Sequence, residues 1–212
     1  MAKIFRVSGR AGVARVFEPI ARALLRIGVT ANAVTIAGTV GVLAGAVAFG
    51  ARGQFVAAVV VVTLCAFSDL VDGVMARASG GSTRFGAFLD SSMDRVADGA
   101  IFAAVAYWYA TQGDRPTLAA ALICLVAGQI VSYVKARAEG LGMTCNVGIA
   151  ERAERLILVG VGGLVTGLGL WSGALPAALW LLAVLSVITV GQRIVHVHRQ
   201  DRARAVADRA AP

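Results

Sequence analysis

The sequence predicts an all-α integral membrane protein: six transmembrane helices preceded by an amphipathic juxtamembrane helix. Three observations predict it. Hydrophobic residues make up 58% of the 212 and charged ones only 15%, well to the apolar side of a soluble domain. The mean hydropathy is +0.77. The apolar residues also gather into runs of about 20, the length that crosses a bilayer as a helix.

The elements follow in order. In residues 1–30, Lys3, Arg6, Arg10, Arg15, Arg22 and Arg26 interrupt any apolar stretch that a cleaved leader would need. Val13, Phe17, Ile20, Ala21, Leu24 and Leu25 recur between them at helical spacing. Residues 1–30 are therefore expected to form a cytoplasmic amphipathic segment in the headgroup plane; an ordinary packed helix is the alternative. The first span, 31–50, is uncharged. The second covers 54–76 and carries Asp69 and Asp72 near its end. The third covers 87–110, with Asp90 and Asp94 near its start, and the fourth covers 116–136. Residues 156–192 hold no charge, too long a run for one helix. "LWSGALP" (170–176) breaks it into spans near 152–171 and 174–196. Residues 31–198 thus read as a six-helix transmembrane domain, and 199–212 as a polar, loosely ordered cytoplasmic tail.

An even number of spans puts both ends on one side. Of the 20 Lys and Arg, only Arg52 and Arg115 fall in the loops of the opposite side. By the positive-inside rule both termini and the Asp-rich loop are cytoplasmic, in a multi-pass protein of the cell membrane. Tyr107, Trp108, Tyr109, Trp171 and Trp180 read as the aromatic belt of the other face. The net charge of +8 would suggest nucleic acid in a soluble protein. Here it marks cytoplasmic loops and contacts with anionic membrane lipid, and no nucleic-acid partner is expected. Cys65 and Cys124 lie in apolar runs as small hydrophobes, and Cys145 stands alone in a loop. No spacing suggests a zinc site or disulfides. His196 and His198 are two apart, so they do not share a helix face, and they read as snorkelling side chains.

Charged groups inside a membrane protein are costly and read as functional by default. Asp69, Asp72, Gly73 and Ala76 follow i, i+3, i+4, i+7, one helix face. Gly86, Asp90 and Asp94 follow i, i+4, i+8, again one face. At 1.5 Å per residue Asp94 lies about 6 Å deeper than Asp90, and Asp69 lies deeper than Asp72. Four carboxylates sharing a partly dry site require balancing cations. An all-oxygen set suits Mg²⁺ or Mn²⁺, and also Ca²⁺. Two ions about 4 Å apart are the arrangement that clamps a transferring phosphoryl group. Gly73 and Ala76 leave room for a ligand, and Arg77 has the reach for a phosphate. Polar helix–helix contacts or an ion pathway are the alternatives that this spacing leaves open.

The full pattern reads D-x2-D-G-x2-A-R-x8-G-x3-D-x3-D from Asp69 to Asp94. It resembles the signature of the CDP-alcohol phosphotransferases, membrane enzymes of phospholipid synthesis, at all eight fixed positions. The resemblance implies that Asp69, Asp72, Asp90 and Asp94 bind two divalent ions per subunit, Mg²⁺ or Mn²⁺, and that Asp94 is the general base. It implies that Gly73, Ala76 and Arg77 hold the CDP moiety of CDP-diacylglycerol. "ANAVT" (31–35) resembles the family's segment at the head of the first span, which adds Asn32 and Thr35, with Thr83 from the loop. A homodimer is implied as well. Asp98 lies outside the signature and is expected to pair with Arg95 or a neighbouring helix.

Lys135, Arg152, Arg155 and Arg193 gather at the expected cytoplasmic mouth. Cations beside a metal site suggest an acceptor with its own phosphate, although each also serves the positive-inside pattern. "SYVKARAEGLG" (132–142) and "ERAERL" (151–156) resemble the family branch that joins inositol 1-phosphate to CDP-diacylglycerol. By that resemblance these four cations bind the acceptor phosphate. A sibling enzyme using glycerol 3-phosphate would want cations here too. An ion-coupled transporter would spread its acids through the bilayer depth, whereas these cluster at one end of two adjacent helices. A membrane-surface scaffold would leave the aspartates unexplained.

Overall fold

Helices connected by short turns and one loop at 141–151 make up the computed structural model, which describes residues 16–81 and 83–210; no strand occurs among them. The chain divides into two units, Met1–Arg52 with Ala57–Ile101, and Gly53–Val56 with Phe102–Pro212.

The first unit begins with α1 (16–26). Lys3, Arg6, Arg10, Val13 and Arg15 lie outside the described residues. The apolar face of α1 meets protein. Ala21 is buried in a cluster with Val71, Val74 and Met75, and Phe17, Leu24 and Leu25 pack against it. Val16 and Ile20 stay exposed. The face that the sequence assigned to lipid is thus largely taken up by another helix, because its stripe is wide enough to serve both.

Thr30 starts α2 (Ala31–Ala48), its hydroxyl accepting from Ala33 N at 3.2 Å, the usual relief for an unpaired N-terminal amide. Gly38 and Gly45 belong to the buried stripe of α2, and Gly41 lies between them in sequence. A Cβ at Gly38 would collide with Ser68 Oγ, one at Gly41 would lie 2.5 Å from Cys65 Sγ, and one at Gly45 2.6 Å from Val61 Cγ1. Absent side chains let two helices approach closely where lipid supplies no hydrophobic drive.

The partners are α3 (Phe55–Ala66) and α4 (Ser68–Ala78). Phe67 separates them yet keeps a right-handed helical backbone. Its amide still reaches Thr63 O, and Val71 N reaches Phe67 O. Ser68 Oγ donates to Cys65 O at 2.5 Å, a back-bond of the kind that disturbs a helix locally. The two helices together form one apolar stretch. The chain then turns on Gly80 (φ +96) and Gly81 (φ +112), a left-handed pair that residues with a Cβ rarely adopt. Thr83 caps α5 (Arg84–Thr111) by accepting from Gly86 N at 2.9 Å.

In the second unit α6 (Arg115–Gly140) and α7 (Arg152–Gly167) both pack on α8 (Ala174–Ala210). Leu175, Leu179 and Leu182 are buried, as are Ala120, Ala121 and Cys124 of α6. Tyr109 is buried and stacks on Phe55, so it does not join the exposed aromatics Tyr107, Trp171 and Trp180. The expected loose tail is instead helical through residue 210. Ala and Arg, good helix formers, dominate it. Gln200 and Arg204 also tie it back to the loop at 141–151: Gln200 Nε2 donates to Thr144 O, and Arg204 NH2 donates to Gly142 O, both at 2.5 Å.

Among the described residues, four stretches are long and apolar enough to cross a membrane: Ala31–Arg52, Phe55–Ala78, Arg115–Gly140 and Ala174–Val206. They make this a multi-pass membrane protein. α5 falls outside that set because Arg84, Asp90, Asp94, Arg95 and Asp98 crowd its first half. α7 falls outside because it has 16 residues.

Replacing Gly38 by Val should lower the melting temperature of the detergent-solubilised protein, at a cost of about 1–3 kcal/mol for overpacking. Gly140→Ala, which meets nothing within 4 Å, should stay within about 0.5 kcal/mol of the parent. Equal melting of all three proteins would refute the close approach of α2 to Ser68.

Candidate active site

The carboxylates of the motif all belong to the first unit. Asp69 and Asp72 sit on α4, three residues apart, and Asp90 and Asp94 on α5, four apart. Asp72 is buried at 7% exposure, Asp69 and Asp94 are half-buried, and Asp90 is exposed. This order differs from the depth order expected along the helices. Rise along an axis sets depth, whereas burial depends on which face meets a neighbour, and α2 packs over Asp72. Thr35 Oγ1 donates to Asp72 Oδ2 at 2.5 Å, and both residues are buried. Asp69 and Asp90 lie close enough for their charges to act on Asp72.

Arg95 NH2 lies 3.7 Å from Asp94 Oδ2 and 3.7 Å from Asp98 Oδ2. Asp98 therefore pairs with Arg95 as the sequence led us to expect, and Arg95 also reaches the motif residue Asp94. Among the described residues no three Asp, Glu, His or Cys side chains converge tightly enough to enclose a cation as they stand. The donor chemistry nonetheless fits a hard divalent ion: four carboxylates, one of them buried with a hydroxyl donor, and no soft ligand in the motif.

The expected nucleotide-contacting residues also fall in this unit. A Cβ at Gly86 would lie 3.1 Å from Thr83 Oγ1 and 3.3 Å from Asn32 Oδ1. Asn32 and Thr83 therefore both lie against Gly86, where a larger side chain would crowd them. Thr83 has a second task as the cap of α5, which the Thr before the Arg84 start of the helix could have signalled. A Cβ at Gly73 would lie 3.6 Å from Arg77 NH1, so the guanidinium of Arg77 reaches back over Gly73. Ala76 is half-buried one residue before it.

The four cations read as acceptor ligands belong to the second unit. Arg155 on α7 is 1% exposed, and its NH1 donates to Gly128 O at 3.3 Å. Gly128 makes room for it: a Cβ there would lie 3.4 Å from Arg155 Cζ. Arg193 on α8 is 3% exposed. Its NH1 donates to Val131 O at 2.5 Å and its Nε to Val147 O at 2.9 Å, while NH2 lies 3.7 Å from Glu151. Both buried guanidiniums thus anchor on α6 carbonyls three residues apart. Thr189 Oγ1, one turn before Arg193, accepts from Ala150 N at 3.0 Å and lies 3.2 Å from Ile149 N. Residues 147–151 are therefore held to α8 directly ahead of α7. Lys135 is half-exposed, 3.9 Å from Glu139, and Arg152 is half-buried at the first position of α7. The positions of these arginines were legible in the sequence. Their carbonyl partners were not, because no side-chain pattern marks a backbone acceptor.

Known proteins place this geometry in context. A phosphatidylinositol phosphate synthase of Streptomyces avermitilis is 49% identical over 199 residues, covering 91% of this chain and 82% of that one. The phosphatidylinositol phosphate synthase of Mycobacterium marinum is 48% identical over 206 residues, covering 96% and 88%. Among solved structures, the Mycobacterium tuberculosis phosphatidylinositol phosphate synthase with CDP-DAG bound superposes with a TM-score of 0.84 at 47% identity, over 86% of this chain and 94% of that one. The same enzyme in complex with manganese and citrate gives 0.83, over 85% and 88%. The model of the CDP-alcohol phosphatidyltransferases matches residues 28–191, a span that takes in the whole aspartate motif and three of the four cations. The chain belongs to the CDP-alcohol phosphatidyltransferase family.

Proposed function

We propose that this protein transfers the phosphatidyl group from CDP-diacylglycerol to inositol 1-phosphate, giving phosphatidylinositol phosphate and CMP. One observation carries the reading: the eight-position aspartate motif sits on α4 and α5 of a chain nearly half identical, over nine-tenths of its length, to phosphatidylinositol phosphate synthases. The relative solved with CDP-DAG supports the donor, and the relative solved with manganese supports a divalent ion.

In this reading α2 to α8 make six spans, with α3 and α4 as one, and α1 lies at the cytoplasmic membrane surface. Both ends and the aspartates face the cytoplasm, and two copies form a homodimer. Asp69, Asp72, Asp90 and Asp94 hold two Mg²⁺ ions per subunit, with Mn²⁺ as a substitute. Bound there, the ions neutralise pyrophosphate charge and stabilise the leaving CMP. The chain's own residues do the rest. Thr35 fixes the carboxylate of Asp72. Asn32, Thr83 and Arg77 bracket the glycine openings at Gly86 and Gly73, which with Ala76 admit the CDP moiety. Asp94 takes the proton of the acceptor hydroxyl. The oxygen so exposed bonds to the lipid-side phosphorus, and the bond from that phosphorus to CMP breaks. Lys135, Arg152 and Arg155 hold the acceptor phosphate. Arg193, engaged with Val131, Val147 and Glu151, supports them by fixing the loop before α7.

The test is CMP release from CDP-diacylglycerol with each acceptor in turn. Inositol 1-phosphate with Mg²⁺ should support turnover, and EDTA should abolish it. Free inositol should be inert. Comparable rates with glycerol 3-phosphate would move the protein to a sibling branch of the family.

Asp94→Asn should remove nearly all turnover while CDP-lipid binding stays measurable by isothermal titration, because a lost base affects chemistry more than donor contacts. A rate near that of the parent would refute the assignment.

Lys135→Ala and Arg155→Ala should each raise the acceptor KM by about 10- to 100-fold, the worth of one charge-assisted contact of roughly 1.5–3 kcal/mol. Donor KM should hardly change. If the cations only set topology, initial-rate kinetics will show an unaltered acceptor KM in both variants.

A further inference from the structure

A pocket of about 500 Å³ opens in the second unit between the loop at 147–149 and one face of α8; Lys135, Arg152, Arg155 and Arg193 are not among its lining residues, although Arg193 and Thr189 hold the loop from behind. Val147, Gly148 and Ile149 line one side, and Gly191, Gln192, Val195, His196 and Arg199 line the other. Positions 192, 195, 196 and 199 follow i, i+3, i+4, i+7, so they form one helix face. The face changes character along its length. Glycine and valine lie toward the apolar part of α8, and His196 and Arg199 lie where the sequence turns polar.

Three donors on this face have no side-chain partner among the described residues. Among the described residues, Gln192, His196 and Arg199 make neither a hydrogen bond nor an ion pair, and no acidic residue lines the pocket. The nearby Glu151 is engaged by Arg193, which is buried on the neighbouring face. A cationic rim on an apolar floor is complementary to an amphiphile with an anionic head. Valine and isoleucine side chains suit glycerol and acyl carbons, and Arg199 and His196 suit a phosphate. Gly191 keeps the floor open, since a Cβ there meets nothing within 4 Å. A free anion would satisfy the rim and leave the apolar floor to water, so the pocket favours lipid over inorganic phosphate.

We infer that this pocket is a binding site for the headgroup of an anionic membrane phospholipid, separate from the site that takes the CDP-activated lipid. Such a lipid would bridge the loop at 147–149 to α8, and so brace the segment that Arg193 and Thr189 already hold.

Thermal unfolding of the detergent-purified full chain tests this. Phosphatidylglycerol in mixed micelles should raise the melting temperature by about 5 °C over phosphatidylcholine at equal mole fraction. Inorganic phosphate should not reproduce the rise. The His196→Ala/Arg199→Gln double variant should lose the difference between the two lipids. Gly191→Leu, which keeps the charges and fills the pocket, should lose it too, so the test survives if the double variant folds poorly. Lys135→Ala, outside the pocket, should keep the full rise. An undiminished rise in the double variant or in Gly191→Leu would overturn the site. An equal rise with phosphatidylcholine would overturn its preference for anionic lipid, and an equal rise with inorganic phosphate would overturn the lipid as occupant.

Discussion

A carboxylate set into an apolar helix must be compensated where it stands, and the first unit is arranged around that requirement. Asp72 is buried, and the hydroxyl of Thr35 donates to it at 2.5 Å. That bond needs α2 to lie close against α4. Gly38, Gly41 and Gly45 allow the approach by presenting no side chain to Ser68, Cys65 and Val61. The same closeness brings Asn32, at the head of α2, to Thr83 and Gly86 at the head of α5. A glycine stripe, a hydroxyl and a carboxylate are thus three parts of one packing solution.

The second unit meets the same requirement with the opposite charge. Arg155 and Arg193 are buried, and each donates to a carbonyl of α6, at Gly128 and Val131. A helix carbonyl that already accepts from its own ladder has a second lone pair, so the backbone can take a share in holding each guanidinium. The arrangement also sets the carboxylate of Glu151 3.7 Å from Arg193 NH2. It also separates two roles within one cluster. Arg193 uses its donors on Val131, Val147 and Glu151 and so shapes the loop, whereas Lys135 and Arg152 stay more open to solvent.

α8 links these features along its length. Its apolar part packs on α6 and α7. Thr189 and Arg193 hold the loop before α7, and Gln200 and Arg204 hold the residues just after α6. Positions 189, 193, 200 and 204 are spaced four, seven and four apart, so one helix face holds the loop over several turns. A segment that reads as a polar tail is therefore a working part of the fold.

The sequence by itself determined the membrane class, the positions of four apolar helices and the motif that marks the family. Each of these rests on a local property: run length, charge placement or spacing along one helix. The aspartate face of α4 and the Gly-x3-Asp-x3-Asp face of α5 were legible because 3.6-residue periodicity is written in the chain itself. The tertiary structure alone decided which carboxylate is buried, since that depends on α2 lying over Asp72 and not over Asp90. It decided that the apolar stripe of α1 packs on Val71, Val74 and Met75, because a stripe facing protein and one facing lipid have the same composition. It also decided that Arg155 and Arg193 end on backbone carbonyls, which every residue carries and which no sequence pattern can therefore single out.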